Sequence, residues 1–194
     1  MFLFFHINAV GMPKKWNRPA SDTFFWPRMV QLAWQQYNKV GEIQNTENFI
    51  IKPEGFEIPY DSERFHKIST DRAIEEGTPL KEVLEKFSKM IDESEYLIAH
   101  NMNLAANVVE AEFYRKSMNS RMMASERFSL MQEATYFCRI KGPGGKFKWP
   151  TIQELYMKCY NSHFEEAHDA SVVAQAVADC FFLLVKKGEL DLFE

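Results

Sequence analysis

Three short apolar runs, separated by turn residues, begin the chain. Residues 1–5 are apolar, residues 29–37 alternate between apolar and polar side chains, and residues 46–51 form a third run that closes just before Pro53. Runs of this length are typical of β-strands, and glycine or proline between them marks a turn. We therefore predict an antiparallel meander of three strands over this part of the chain.

Helical and strand patterns alternate through the remainder. An apolar stripe at helical spacing runs from Leu80 to Ile91, and Thr78 is predicted to cap this helix with Pro79 at its first position. Asn101 is predicted to cap a later helix. The other predicted elements are a helical turn at 62–66, strands at 96–99 and 125–130, and helices at 104–116, 151–160 and 170–187. This order predicts one α/β domain, residues 1–194, built on a mixed sheet.

Composition and charge narrow the function classes. The 194 residues carry a formal net charge of −4, so the chain is not expected to coat nucleic acid by bulk charge. The three cysteines, Cys138, Cys159 and Cys180, contain no C-x-x-C pair, which favours a reduced, cytoplasmic protein. No apolar run reaches the roughly 18 residues of a membrane helix, and the N-terminus does not follow the signal-peptide pattern.

Two segments combine basic and aromatic residues. KKWNRP contains Lys14, Lys15 and Trp16, and the glycine-rich KGPGGKFKW contains Lys146 and Lys148. Lysines bind a phosphate backbone and aromatic rings stack on bases, so the two segments together predict a local nucleic-acid groove. The alternative for the second segment is a solvated loop whose aromatic side chains anchor it to the core.

Five sequence segments occur in the order of one known family. They are FFHINAVG at the first strand, MVQLAW at the second, FHKISTDRAIEEG, a strand that ends in AHN, and AHDA before the last helix. In this the chain resembles the DEDDh family of 3′–5′ exonucleases, which includes the proofreading epsilon subunit of bacterial DNA polymerase III. The resemblance spans residues 2–188. It implies a ribonuclease H-like fold, a mixed five-stranded sheet with helices on both faces.

The resemblance also implies where catalytic groups should lie. The family holds two divalent metal ions, Mg²⁺ or Mn²⁺, with four acids, and a histidine deprotonates the attacking water. In this sequence His168 occupies the histidine position. The four acid positions are occupied by His6, Asn8, Ala105 and Val173. The resemblance therefore implies a scaffold that has kept its histidine and lost its metal ligands.

From these replacements we predict that the chain does not catalyse two-metal hydrolysis. Acids at the four positions would lower the formal net charge from −4 to −8. Without that negative charge, two closely spaced Mg²⁺ ions repel each other with little compensation, so no metal cofactor is predicted. The remaining function would be to hold a single-stranded or duplex DNA or RNA 3′ end without cutting it, or to bind a protein partner.

Three alternatives stay open at this point. The chain would be an active nuclease if Asp169, with Glu165 or Glu166, supplied unusual ligands, although on a helix Asp169 would point about 100° away from His168. His6 and His168 would hold a softer ion such as Zn²⁺ if they faced each other, and otherwise form a packed pair. The chain would also be a partner-binding module with no affinity for nucleic acid.

Overall fold

The first strand, β1 (Phe2–Ala9), is the centre of a five-stranded sheet. The structure, a computed structural model, describes residues 1–190, so the last four residues of the predicted 1–194 domain lie outside the described part. The other strands are β2 (Met29–Tyr37), β3 (Ile43–Ile50), β4 (Tyr96–Ala99) and β5 (Glu126–Ser129). The helices are α1 (Tyr60–His66), α2 (Thr70–Glu76), α3 (Leu80–Asp92), α4 (Met102–Arg115), α5 (Leu130–Glu133), α6 (Thr135–Cys138), α7 (Ile152–Tyr160) and α8 (Ala170–Lys186).

The strand order is β3-β2-β1-β4-β5, and the strand directions are mixed. The first three strands form the predicted antiparallel meander, with His6 of β1 opposite Ala33 of β2. β4 and β5 run parallel to β1, with Phe4 opposite Ile98. Because β1 and β4 are parallel, their carboxyl ends meet at one edge of the sheet. The predicted mixed five-stranded α/β fold is confirmed.

Alternation along β1 divides the core between the two faces of the sheet. Leu3, Phe5 and Ile7 pack with residues of α3 and α4, whereas Phe2 and Phe4 pack with residues of α7 and α8. Side chains of a strand alternate between its faces, so His6 and Asn8 lie on the α8 side. The helices on both faces therefore fix which side chains reach the end of β1.

Of the two helix caps predicted from the sequence, one is confirmed and one is wrong. Asn101 caps α4 as predicted, since its Oδ1 accepts from Leu104 N at 3.1 Å. Thr78 was predicted to cap α3, with Pro79 as its first residue. This is wrong, because α3 begins at Leu80 and Pro79 is at the cap position. The backbone of Thr78 instead pairs with Ile50 and Lys52, at 2.9 Å in both bonds, which extends the sheet edge.

Several elements differ from the sequence prediction in extent or existence, including the short helices α5 and α6, which lie where no helix was predicted. β1 continues to Ala9, beyond the five residues predicted, so His6 and Asn8 belong to the strand itself. The helix α2 was not predicted, because its short TDRAIEE sequence shows no apolar stripe. Among the described residues, no helix is long and apolar enough to cross a membrane.

Candidate functional site

Asn8 lies at the end of β1, where its side chain joins three elements. Its Nδ2 donates to Gln31 Oε1 of β2 at 2.7 Å and to the carbonyl oxygen of His168 at 2.8 Å. His168 lies just before α8, which begins at Ala170. The position that the family resemblance assigns to an acid therefore holds an amide whose donor group is fully used.

Gln31 completes this connection from the buried interior of β2. Its Oε1 also accepts from Ala170 N at 3.1 Å, and its Nε2 donates to Asn48 Oδ1 at 3.0 Å and to Asp169 Oδ2 at 3.2 Å. Only 3% of the residue is exposed. We call Asn8, Gln31, Asn48 and Asp169 the amide network. It ties β1, β2, β3 and the start of α8 together.

Asp169 is the one carboxylate in the amide network. It caps α8, with Oδ1 accepting from Ser171 N at 2.8 Å and from Ser171 Oγ at 2.5 Å, and Asn48 Nδ2 donates to the same oxygen at 3.3 Å. Burial raises the pKa of Asp169, but hydrogen bonds from Ser171 and Gln31 outweigh burial and bring the pKa below its usual value. The carboxylate is therefore ionised and already coordinated by donors of the chain.

The expected helical relationship between His168 and Asp169 needs correction. Both residues precede the first residue of α8, so the turn of about 100° between neighbours on a helix does not apply to them. Asp169 points into the amide network, whereas Glu165 and Glu166 are exposed in the preceding turn. Among the described residues, no group of three or more histidine, cysteine, aspartate or glutamate side chains could hold a metal ion.

His6 is held neutral near this edge of the sheet. Burial and, to a smaller extent, the nearby His100 lower the pKa of His6 to about 4, although Asp169 acts in the opposite direction. His100, which follows β4, contacts the carbonyl oxygen of Pro150 through Nε2 at 2.9 Å. Burial lowers the pKa of His100 to about 4 as well, so its Nε2 carries the proton and donates to that carbonyl.

Ala105 and Val173 lie on opposite sides of the sheet. Ala105, in the first turns of α4, belongs to the core on the α3 and α4 side, and Val173 belongs to the core beneath α8. Both are buried, with 4% and 2% of their surfaces exposed. Their alkyl side chains carry no ligand atoms, so these two positions contribute packing to the site and nothing else.

The first basic-aromatic segment lies beside a groove of about 480 Å³ after β1. Lys14 lines this groove, with Nζ 3.6 Å from the centre of the Phe24 ring. Lys15 Nζ is 5.3 Å from the Phe25 ring, and Trp16 is 46% exposed. These contacts leave both the cations and an indole face at the surface.

The second segment borders a separate groove of about 520 Å³, which has no lining residue in common with the first. Lys146 lines this second groove. Lys148 does not, because its Nζ donates to both carboxylate oxygens of Glu154 at 2.6 and 2.8 Å. Phe147 and Trp149 are 39% and 58% exposed, so their rings do not anchor the loop to the core. Most of the loop is exposed, as the alternative of a solvated loop expects.

The sequence prediction missed the residues that hold the site together. Gln31 is a polar residue in a strand that is buried throughout, but Gln35 and Gln36 of the same strand are buried and polar as well, so this signal does not distinguish Gln31 from them. Asn48 and His100 carry no such signal, because their roles depend on contacts with distant parts of the chain.

Comparison with known proteins places this geometry in a family. The family model RNase T, described as exonuclease, matches residues 28–180. The chain belongs to this exonuclease family. The resemblance to DEDDh 3′–5′ exonucleases is thus confirmed, and with it the ribonuclease H-like fold. No curated protein sequence matches the chain.

Solved structures of Exonuclease I share the fold. The structure of E. coli Exonuclease I in complex with a dA16 oligonucleotide has 18% sequence identity and a TM-score of 0.75, over 95% of this chain and 40% of that chain. The zinc-bound form of the E. coli enzyme with single-stranded DNA has the same identity and TM-score, over 96% and 40%. A product-bound exonuclease I has 16% identity and a TM-score of 0.73, over 95% and 43%. The chain therefore spans about two fifths of the length of the proteins it resembles.

Proposed function

We propose that this exonuclease-family domain is catalytically inactive and holds nucleic acid without cutting it. One observation carries the proposal: Asn8 Nδ2 donates to Gln31 and to the His168 carbonyl at the point where the family resemblance places a metal-binding acid. The Nδ2 group has no lone pair to offer a cation, and the remaining amide oxygen of Asn8 is neutral, whereas Mg²⁺ and Mn²⁺ prefer charged oxygen ligands. The amide network therefore replaces the negative charge that two-metal hydrolysis requires.

The residues present do not fit a pair of divalent cations. Mg²⁺ and Mn²⁺ prefer charged oxygen ligands, and only Asp169 in the network carries one. Its oxygens already accept hydrogen bonds from Ser171, Gln31 and Asn48. His6 is neutral at physiological pH, since its pKa is about 4. Without a pair of metal ions, His168 would have no activated water to deprotonate.

Nucleic-acid binding is the part of the family function that this proposal retains. The structures it resembles include Exonuclease I bound to dA16 and to single-stranded DNA. Lys14, Lys15 and Trp16 beside one groove, and Lys146 beside another, offer cations and an aromatic face in a chain of net charge −4. We also propose a cytoplasmic location, in keeping with the free Cys138, Cys159 and Cys180.

A nuclease assay tests the proposal. Purified protein is incubated with 5′-labelled single-stranded DNA and RNA in Mg²⁺ and, separately, in Mn²⁺, with E. coli Exonuclease I as the positive control for DNA. We expect the label to stay at full length in every lane that contains this protein and to shorten in the Exonuclease I lane. Loss of 3′ nucleotides that requires the metal and is abolished by a chelator would contradict the proposal and favour the alternative with unusual ligands from Asp169, Glu165 or Glu166.

A second assay separates nucleic-acid binding from the remaining alternative, a partner-binding module. Mobility shift of the same labelled strands at low salt is expected to show a complex. We expect the complex to weaken when Lys14 and Lys15 are both changed to glutamine, because phosphate contacts dominate affinity. No shift at low salt would favour the partner-binding module.

A further inference from the structure

Three aromatic side chains near the start of α7 are exposed together. Tyr136 is 76% exposed, Trp149 is 58% exposed and Phe147 is 39% exposed. We call them the aromatic platform. Tyr136 and Phe147 meet edge to face with ring centres 6.0 Å apart, and all three residues line the groove of about 520 Å³. Contiguous exposed aromatic surface of this kind marks an interaction site.

The loop that carries the platform is fixed at several points. Gly142 N donates to Lys146 O at 2.8 Å, and Lys148 N donates to Ile140 O at 2.9 Å. The side chain of Lys148 is paired with Glu154 in the first turn of α7. The backbone that carries Phe147 and Trp149 is therefore held in place before any ligand arrives, which lowers the entropic cost of binding.

The charge around the platform is positive, although the whole chain is acidic. Residues 134–153 contain Arg139, Lys141, Lys146 and Lys148 and no acid. Lys148 is neutralised by Glu154, but the other three cations have no carboxylate partner among the described residues. Arg139 is held in place by a hydrogen bond from Nε to the Tyr136 carbonyl at 3.2 Å. A polyanion is thus the ligand that the charge favours.

The residues that line the groove favour a single-stranded nucleic acid over an acidic protein partner or a duplex. Besides the aromatic platform and Lys146, it contains Gln132, Thr135 and Gly145, and so it includes no aliphatic side chain of the sort that buries a protein partner's apolar residues. Aromatic faces with a cation suit an unpaired base and its phosphate. In a duplex the base faces are already stacked on each other, so only a single strand can offer them.

The platform is linked to the edge of the sheet that holds the amide network. Pro150 directly follows Trp149, and its carbonyl accepts from His100 Nε2 at 2.9 Å. His100 follows β4, the parallel neighbour of β1. The backbone next to Trp149 is therefore anchored to the residue that follows β4.

We propose that the aromatic platform binds single-stranded nucleic acid by stacking an unpaired base, with Lys146 contacting a phosphate. This inference rests on the proposed nucleic-acid-holding function and specifies its ligand and its contact residues. Lys148, which the sequence alone suggested as a contact, takes no part because Glu154 already pairs with it. Trp149 supplies the largest exposed face and is expected to contribute most.

Fluorescence anisotropy with a labelled short oligothymidylate tests the proposal at low salt. We expect the single strand to bind more tightly than a duplex of the same length. Trp149→Ala is expected to weaken binding about tenfold, because stacking on one aromatic ring is worth about 1–3 kcal/mol per base. Trp149→Phe should retain most of the affinity, and Lys146→Gln should reduce both the affinity and its salt dependence.

Matched controls make the outcomes decisive. Phe65→Ala removes another exposed ring, 81% accessible on α1, and Lys81→Gln removes an exposed lysine of α3 that does not line the groove, so neither should change the affinity by more than about twofold. The proposal is overturned if oligothymidylate does not bind, if the duplex binds equally well, or if Trp149→Ala matches Phe65→Ala. The strand's length is checked on a gel in the same samples with Mn²⁺: cleavage would defeat the proposed inactivity and leave this binding site intact.

Discussion

Two regions of the molecule contain polar side chains with little access to solvent, and the partners of those side chains differ between the two regions. Near the carboxyl end of α4, Glu112 is fully buried, and Arg28 Nε and Arg115 Nη1 each lie 3.0 Å from its Oε1. At the end of β1, the chain uses Asn8 and Gln31, which are neutral. The buried carboxylate of Glu112 is paired with arginines of the chain itself. At the end of β1, where we propose that a carboxylate would need bound metal ions as partners, the chain has amides instead.

The Glu112 region is also a structural connection. Arg115 Nη2 donates to the carbonyls of Thr23 and Trp26 at 2.6 and 2.7 Å, and Glu112 Oε1 accepts from Met29 N at 2.9 Å. These contacts hold the loop after β1 against α4. The two regions therefore differ in how their polar groups are satisfied: Glu112 is paired with two cations of the chain, whereas Asn8 and Gln31 are joined by hydrogen bonds between uncharged groups.

Breaking the ionic region should have the largest effect. Glu112→Gln leaves Arg28 and Arg115 without their counter-charge, and we expect a loss of about 3–5 kcal/mol in the free energy of unfolding, measured in urea. Glu85→Gln is the matched control, since Glu85 is exposed and pairs only weakly with Lys81 at 3.9 Å. Equal stability of the two variants would show that the buried cluster contributes nothing special.

Placing an acid at position 8 of the amide network should lower the free energy of unfolding, but by less than Glu112→Gln does. In the unmodified protein, Gln31 Oε1 and the His168 carbonyl accept hydrogen bonds from Asn8. Asn8→Asp would place a carboxylate against these two acceptors. We expect a loss of about 1–3 kcal/mol at neutral pH in urea unfolding. Asn119→Asp, at an exposed amide, is the control. A stabilised Asn8→Asp variant would mean that this site still accommodates an acid.

The pH dependence of stability reports on the neutral histidines beside the network. The pKa of His6 is about 4 in the folded protein, against 6.5 for the ordinary side chain, so the unfolded chain takes up the proton first as pH falls. Stability is fully present above about pH 6.5 and is lost progressively towards pH 4. His6→Asn should flatten this slope by up to about 1.4 kcal/mol per pH unit.

Urea unfolding at several pH values measures that slope. His163→Asn, at an exposed position, is the matched control for the loss of an imidazole. An unchanged slope in the His6→Asn variant would show that His6 does not resist protonation in the folded state.

The smallest expected effect concerns a charge pair at the surface. Lys148 and Glu154 have side chains 38% and 36% exposed, so solvent screens their attraction. Lys148→Gln should lower the free energy of unfolding by only about 0.2–1 kcal/mol and should lose even this at high salt. If Lys148→Gln lowered the free energy of unfolding as much as Glu112→Gln does, the expected difference between buried and exposed charge pairs would be contradicted.

Much of the fold follows from local patterns in the sequence. β2 and β4 have the predicted bounds because their apolar runs end abruptly at turn residues. The pairing of Lys148 with Glu154 was also within reach, since Thr151 and Glu154 form a capping box and place that carboxylate beside the preceding residues. Thr78 misled because backbone pairing with the sheet edge competes with capping.

The amide network was beyond sequence reasoning for a physical reason. Gln31 and Asp169 are 138 positions apart, and Asn8 and His168 are 160 apart, so no local spacing links them. The family resemblance identified positions 6, 8, 105, 168 and 173. It did not indicate which neighbouring residues satisfy the amide at position 8, because those partners depend on the packing of β2, β3 and α8.

The central claim concerns cations at the end of β1. The most direct measurement is a crystal structure of the protein soaked in Mn²⁺, with anomalous scattering used to locate the ions. The account predicts no pair of ions between residues 6, 8, 105 and 173, and Asn8 still bonded to Gln31. Two Mn²⁺ ions coordinated there by the chain's own side chains would contradict it.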